Sequence, residues 1–422
     1  MRSSTLERKE LRMIAPILSV AMLGVSVFGC SAGSTKEADF LTQFHSMTEQ
    51  QGVTFIGEYT GEIFGNLSGG IQQGASYEGL LKLTVQLDLK KIFDWDGASI
   101  YASALYPHGN GLTRQYTGDF DILSSIDAYD SVRLFELWFQ QKFFGGKASI
   151  RIGQMSADVE FYQSVWANLF VNSCFGTFPT ISMGTNLPIY PFGGLGARID
   201  YYPSSSTFLR AAIFDSNAGD PATNDQHGTR FHLSPSAGVI AIAEAGYQIT
   251  PSLENGGKQE NYTIGAYYDS RRFTGSFVDP THHSNGGLYA IVDRLIYRSR
   301  AYVNGQSTFG RLGGFASFAF APASGNQVSF YADCGLNYIG LFPGRENDVL
   351  GLALSYTKIS SDYLVDNTPV HSGHETVLEA DYRLQLTDRI FIQPDFQYIF
   401  DPGAFRHRPN AVVAGVRYDL TF

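Results

Sequence analysis

The sequence runs to 422 residues, 44% of them hydrophobic, 14% aromatic and 17% charged, with 45 glycines and a mean hydropathy of -0.09. A chain of this kind can bury a large core, yet beyond the N-terminus no run approaches the roughly 18 to 20 consecutive apolar residues of a membrane helix, which excludes a helical membrane protein. The net charge of -10 and pI near 5.4 argue against a nucleic-acid partner, because phosphate binding needs a basic face.

The first residues carry Arg2, Arg8, Lys9 and Arg12, followed by an apolar run from Met13 to Phe28 and small residues around Gly29 to Gly33. This is the layout of a secretory signal peptide. Cleavage is expected after Ala32, with a lipoprotein-type cut before Cys30 as the alternative; Phe28 is bulky for the latter. The division expected is a leader over 1–32, a periplasmic segment over 33–51 and a barrel over 52–422. Cys30, Cys174 and Cys334 form no disulfide framework, and no zinc-type spacing accompanies them.

From about Gly52 onward, apolar residues alternate with polar or small ones, the period of a strand with one dry and one wet face. Leu81, Leu83, Val85, Leu87 and Leu89 share one face, with Lys82, Thr84, Gln86 and Asp88 between them. Val328, Phe330, Ala332, Cys334, Leu336 and Tyr338 repeat the pattern, as do Thr376 to Leu384 and Ile392 to Tyr398. The last segment sets Val412, Ala414, Val416, Tyr418, Leu420 and Phe422 against Val413, Gly415, Arg417, Asp419 and Thr421. A closing strand that ends on an aromatic residue is expected to be read by the barrel-assembly machinery.

Strands are predicted at 53–60, 80–89, 97–106, 132–143, 147–155, 194–202, 207–215, 238–248, 261–269, 286–300, 311–320, 327–338, 349–358, 375–384, 390–399 and 411–422. The even number and the length suit an all-β transmembrane antiparallel up-and-down β-barrel of about 16 strands. A soluble sandwich or propeller also alternates, but apolar bands this long on nearly every strand would require a very large core. Phe143–Lys147, Pro203–Ser206 and Ala321–Asn326 look like tight turns facing the periplasm, whereas 107–131 and 155–193 are long and external. The second long loop holds Trp166, Phe170, Phe175 and Phe178, enough aromatic surface to fold into the barrel mouth and narrow it.

With polar faces inward, the lumen carries Lys82, Glu136, Trp138, Gln140, Arg151, Arg198, Asp200, Arg210, Asp333, Glu379, Asp381, Arg383 and Arg417. Such groups can exchange hydrogen bonds with sugar hydroxyls while an aromatic ring stacks on the apolar sugar face. Glu136, Trp138 and Arg151 are the first candidates for substrate contact, with Arg198 and Arg210 extending a positive track. The competing reading is that these charges only line water and set ion preference. No cofactor or metal is expected. His371, His374 and Glu375 lie in a loop with nothing to fix them as ligands. His282-His283 is no better placed, and Asp119, Asp121, Asp127 and Asp130 lack calcium-loop spacing.

Gly65-Asn66-Leu67-Ser68-Gly69-Gly70, Tyr77-Glu78-Gly79 and His108-Gly109-Asn110 open a series of motifs. The series continues with Tyr129-Asp130-Ser131, Glu136-Leu137-Trp138-Phe139, Gln141-Lys142-Phe143-Phe144, Arg151-Ile152-Gly153-Gln154, Asp158 and Glu160-Phe161. Asn186-Leu187-Pro188, Gln393-Pro394-Asp395-Phe396-Gln397-Tyr398 and Asp401-Pro402-Gly403 complete it. In these motifs the chain resembles the carbohydrate-selective porins of OprB type, less closely between about Asp215 and Phe309. The resemblance implies a 16-stranded barrel for passive uptake of glucose and related small sugars, with arginine and acidic side chains at the constriction. The expected location is the outer membrane, with its lipids as partners, and both a monomer and a homotrimer stay open. Two other functions remain: a general or ion-preferring porin, and a barrel enzyme such as a lipid hydrolase, for which no outward strand face offers a Ser and His pair.

Overall fold

The computed structural model describes residues 46–217, 225–233, 238–251, 259–272, 283–298, 301–303, 306–308, 310–365, 368–369, 373–405 and 407–422. The expected leader, with Cys30 and Ala32, lies outside the described residues, as do His282 and His371. Gly52–Phe422 forms one compact unit. Its strands are β1 Val53–Ser68, β2 Gly74–Asp88, β3 Ala98–Gly109, β4 Arg133–Phe143, β5 Ala148–Met155, β6 Gly194–Tyr201, β7 Thr207–Asp215 and β8 Val239–Ile249. The second half contributes β9 Glu260–Arg272, β10 His283–Arg298, β11 Arg311–Phe320, β12 Val328–Ile339, β13 Val349–Ile359, β14 His374–Thr387, β15 Ile390–Phe400 and β16 Ala411–Thr421.

These sixteen strands close into a barrel, each pairing with its neighbour in sequence and β1 with β16. Closure leaves no unpaired edge, which a membrane-spanning sheet requires. At the seam Gly57 and Phe422 exchange backbone hydrogen bonds of 2.9 and 2.8 Å. A Cβ on Gly57 would stand 2.3 Å from the Phe422 ring, so a larger residue there would push that ring aside.

The alternation read from sequence is physical. Leu83 and Leu336 on the outer surface are 47% and 45% exposed, while Thr84 and Asn337 beside them are buried inside. Local chemistry trims the predicted boundaries. β2 stops at Asp88 because the Asp88 carboxylate accepts the Lys90 N–H at 3.0 Å and starts a short helix, Leu89–Phe93. Leu89 therefore begins a helix instead of ending a strand. The β4–β5 turn uses positive φ at Phe144, Gly145 and Gly146.

Connections alternate between two rims. The segments 110–132 and 156–193 lie at one rim, and 144–147, 202–206 and 388–389 at the other. Strand order places 321–327 at the long-loop rim, which corrects the expectation that Ala321–Asn326 faces the periplasm; a short connection does not by itself name its side.

The inward faces are not uniformly polar. Tyr162, Trp166, Phe170, Phe175, Phe178 and Ile181, from the 156–193 segment, pack inside the barrel against Ile242, Tyr289, Ile291, Phe315 and Tyr331 of the wall. Leu112, Leu123 and Val171 make a second cluster with Phe64, Val377, Ile399 and Val413. Burying aromatic side chains of this size is worth roughly 2 to 3 kcal/mol each in transfer terms, so the long loops are core elements of the lumen.

Candidate functional site

With one side of the lumen filled, the polar side chains of β4 to β8 face the remaining space. Register sets them in a row: Gln140 pairs with Arg151, Arg151 with Arg198, Asp200 with Arg210, and Arg210 with Glu244. The 156–193 segment enters beside this row, tied to β4 by the Ser156 N–H to the Glu136 carboxylate at 3.2 Å and closed on itself by the Tyr190 N–H to Asp158 at 2.7 Å. Burial pushes the Asp158 carboxyl above the usual aspartate range.

That entry delivers Glu160 to the arginines. Glu160 forms ion pairs with Arg151 and, at 2.7 Å, with Arg198. Arg198 also pairs with Asp200, and donates to Ser149 Oγ at 2.9 Å and Gln140 Oε1 at 2.9 Å. Arg151 donates to the same Gln140 oxygen at 3.0 Å. Arg210 holds Asp200 at 2.8 Å, lies 4.0 Å from Glu244, and donates to the Glu160 carbonyl. Bidentate, charge-assisted contacts of this kind fix guanidinium planes. The row borders a cleft of about 530 Å³, lined by Gln140, Arg151, Glu160, Arg198, Asp200 and Arg210. Lys142, Gly146 and Tyr202 also line it and stand at the short-turn rim, so the cleft opens in that direction.

The opposite wall is occupied otherwise. Glu379 accepts the N–H groups of Val171 and Asn172 at 2.6 and 3.0 Å. Glu244, at the β8 end of the arginine row, accepts from the Tyr162 N–H at 2.5 Å and the Tyr289 hydroxyl at 2.8 Å, and across from it Asp293 accepts from Ser164 Oγ at 2.5 Å. Gln393 Nε2 donates to Asp381 and, at 2.8 Å, to the Leu169 carbonyl. Glu379, Asp381 and Asp395 bring oxygens within 4.8 Å of one another; hydrogen bonds from loop amides, Gln393 and Gln397 hold them as an anchor.

A family model described as "Carbohydrate-selective porin, OprB family" matches residues 72–422. The chain belongs to the carbohydrate-selective porin family. It is similar to Porin B of Pseudomonas aeruginosa, 24% identical over 88% of each chain, and to a putative porin, QuiX, of Acinetobacter baylyi, 22% identical over 89% of this chain and 90% of that one. Its barrel shares the fold of Pseudomonas putida OprB in a high-pH structure, with TM-score 0.79 and 22% identity, covering 90% of this chain and 97% of that one. The porin is thus a bacterial outer-membrane channel through which small sugars diffuse.

The structure distributes the candidate residues of this porin unevenly. Arg151, Arg198, Asp200 and Arg210 meet in the cleft. Glu136 lies beside it as a loop tether, and Trp138 stands behind Arg151. Lys82 pairs with Glu58 at 3.4 Å on β1, and Arg383 stacks over Phe391 at 3.7 Å near the 388–389 turn; neither lines the cleft. Glu379 and Asp381 serve the loop anchor. Sequence reasoning missed Glu160 and Glu244 as partners of the arginines. Glu160 had one signal, its place beside Phe161 in the family motif. Glu375, set aside as a ligand, accepts the N–H groups of Phe120 and Asp121 at 2.7 Å each.

Proposed function

We propose that sugars cross this porin along the face formed by Gln140, Arg151, Glu160, Arg198, Asp200 and Arg210. The observation that carries this reading is the pairing of opposite charges at close quarters: the three guanidiniums share the cleft wall with Glu160 and Asp200, each arginine paired to at least one of them. A guanidinium already paired with a carboxylate attracts a passing anion less than a bare one does. The row offers a hydroxyl-rich neutral solute alternating donors and acceptors, with which it can exchange hydrogen bonds step by step. Contacts that are repeated and individually weak let a solute enter without being trapped.

Transport without catalysis is part of the same proposal, as is delivery to the periplasm by a leader over residues 1–32. Liposome swelling in isotonic glucose tests the path. Arg198→Ala and Arg210→Ala should slow glucose-driven swelling relative to a small solute without hydroxyls. Equal rates for both solutes in wild type and variants would favour a general or ion-preferring porin.

A further inference from the structure

Trp138 lies on β4, between Tyr101 on β3 and Arg151 on β5. The indole is stacked on Tyr101, with ring centroids 4.8 Å apart and 7° between planes. Arg151 Cζ stands 3.6 Å from the indole centroid. Because β4 separates β3 from β5, tyrosine and guanidinium cover opposite faces of the ring. Gly153, paired with Trp138, makes room for this arrangement. A Cβ there would fall 2.3 Å from the Leu137 carbonyl oxygen and 3.0 Å from Trp138 Cβ, and its φ of +144° favours glycine. Trp138 is buried, and its Nε1 has no hydrogen-bond partner.

No indole face is left for a sugar ring. The Arg151 guanidinium, by contrast, is held on three sides: by the indole face, by Gln140 and by Glu160. We propose that Trp138 is a positioning residue, braced by Tyr101, that sets the plane and height of Arg151 at the cleft and does not touch the sugar. This rests on the reading that Arg151 meets the sugar. Cation–π contact is the physical basis: it restrains a guanidinium parallel to the ring while leaving its N–H edge free for hydrogen bonds.

A double-mutant cycle on sugar block of single-channel current tests the proposal. Trp138→Leu keeps much of the volume and removes the π face; Arg151→Met keeps the indole covered and removes the charge. Each alone should raise the half-blocking glucose concentration roughly tenfold, and Trp138→Phe should restore most of the loss. The double variant should be no weaker than Arg151→Met alone. Losses that multiply in the double variant would mean that Trp138 contacts the sugar itself, overturning the inference while leaving the sugar path intact. An Arg151→Met channel that glucose blocks as well as wild type would remove both the path through Arg151 and the positioning role.

Discussion

The carboxylate of Glu379, on wall strand β14, accepts the backbone N–H of Asn172 at 3.0 Å, from a loop residue 207 positions earlier in the chain. The same carboxylate takes the Val171 N–H at 2.6 Å. A buried carboxyl group that accepts two amides is a clamp, and removing it leaves both donors unsatisfied in the lumen. Glu379→Ala should cost about 3 kcal/mol of stability. Thermal unfolding in detergent checks the cost. Channel noise should rise as well, because segment 156–193 loses its tether; unchanged stability and quiet channels would assign the anchoring elsewhere.

The aromatic side chains of that segment fill the lumen. Phe178 lies 5.6 and 5.5 Å, centroid to centroid, from Tyr289 and Tyr331 of the wall. Phe178→Ala should destabilise by about 3 to 5 kcal/mol. Deleting residues 166–182 should raise single-channel conductance, since it removes Trp166, Phe170, Phe175 and Phe178 from the interior; equal conductance would show that the cleft is not bounded by them.

How much of this was legible follows from range. Alternation is local, so all sixteen strands can be read in order, and the inward parity of Arg151, Arg198 and Arg210 comes with it. The Leu89 helix escaped because one carboxylate, Asp88, overrides the period. The anchors escaped because Glu379 and Asn172, or Glu375 and Phe120, meet only after the barrel has closed. Trp138 was legible as an inward aromatic, but the rings and charge covering its faces come from two other strands.

Burial holds the Asp119 and Asp121 carboxyls above the ordinary aspartate range, at about 6 and about 7. Both lie in the 110–132 loop, where Thr357 donates to Asp121 at 2.6 Å. A carboxyl raised on folding favours the folded state when protonated. Its contribution is complete below the ordinary aspartate range and is lost as the pH climbs through about 6 and then about 7. Thermal stability should therefore decline between pH 5 and pH 8, and Asp121→Asn should flatten the upper part of that slope. A rise over the same interval, or an unaltered slope in the variant, would exclude these groups as the source.

Glu160 neutralises part of the charge of Arg151 and Arg198. Glu160→Gln removes one negative charge from the cleft. At about 8 Å in water that charge is worth roughly 0.5 kcal/mol to a passing ion, or roughly twofold in the partition of each ion sign. Reversal potentials in a potassium chloride gradient should move toward chloride selectivity. An unmoved potential would show that ions do not travel past Glu160.

Single-channel current through the purified protein in a planar bilayer, recorded while glucose is titrated, tests the central claim most directly. The account predicts open channels whose current falls saturably with glucose, with a weaker block when Arg151 or Arg198 is replaced by alanine. Open channels whose current is indifferent to glucose at every concentration, in wild type and variants alike, would contradict a sugar path along the arginine row.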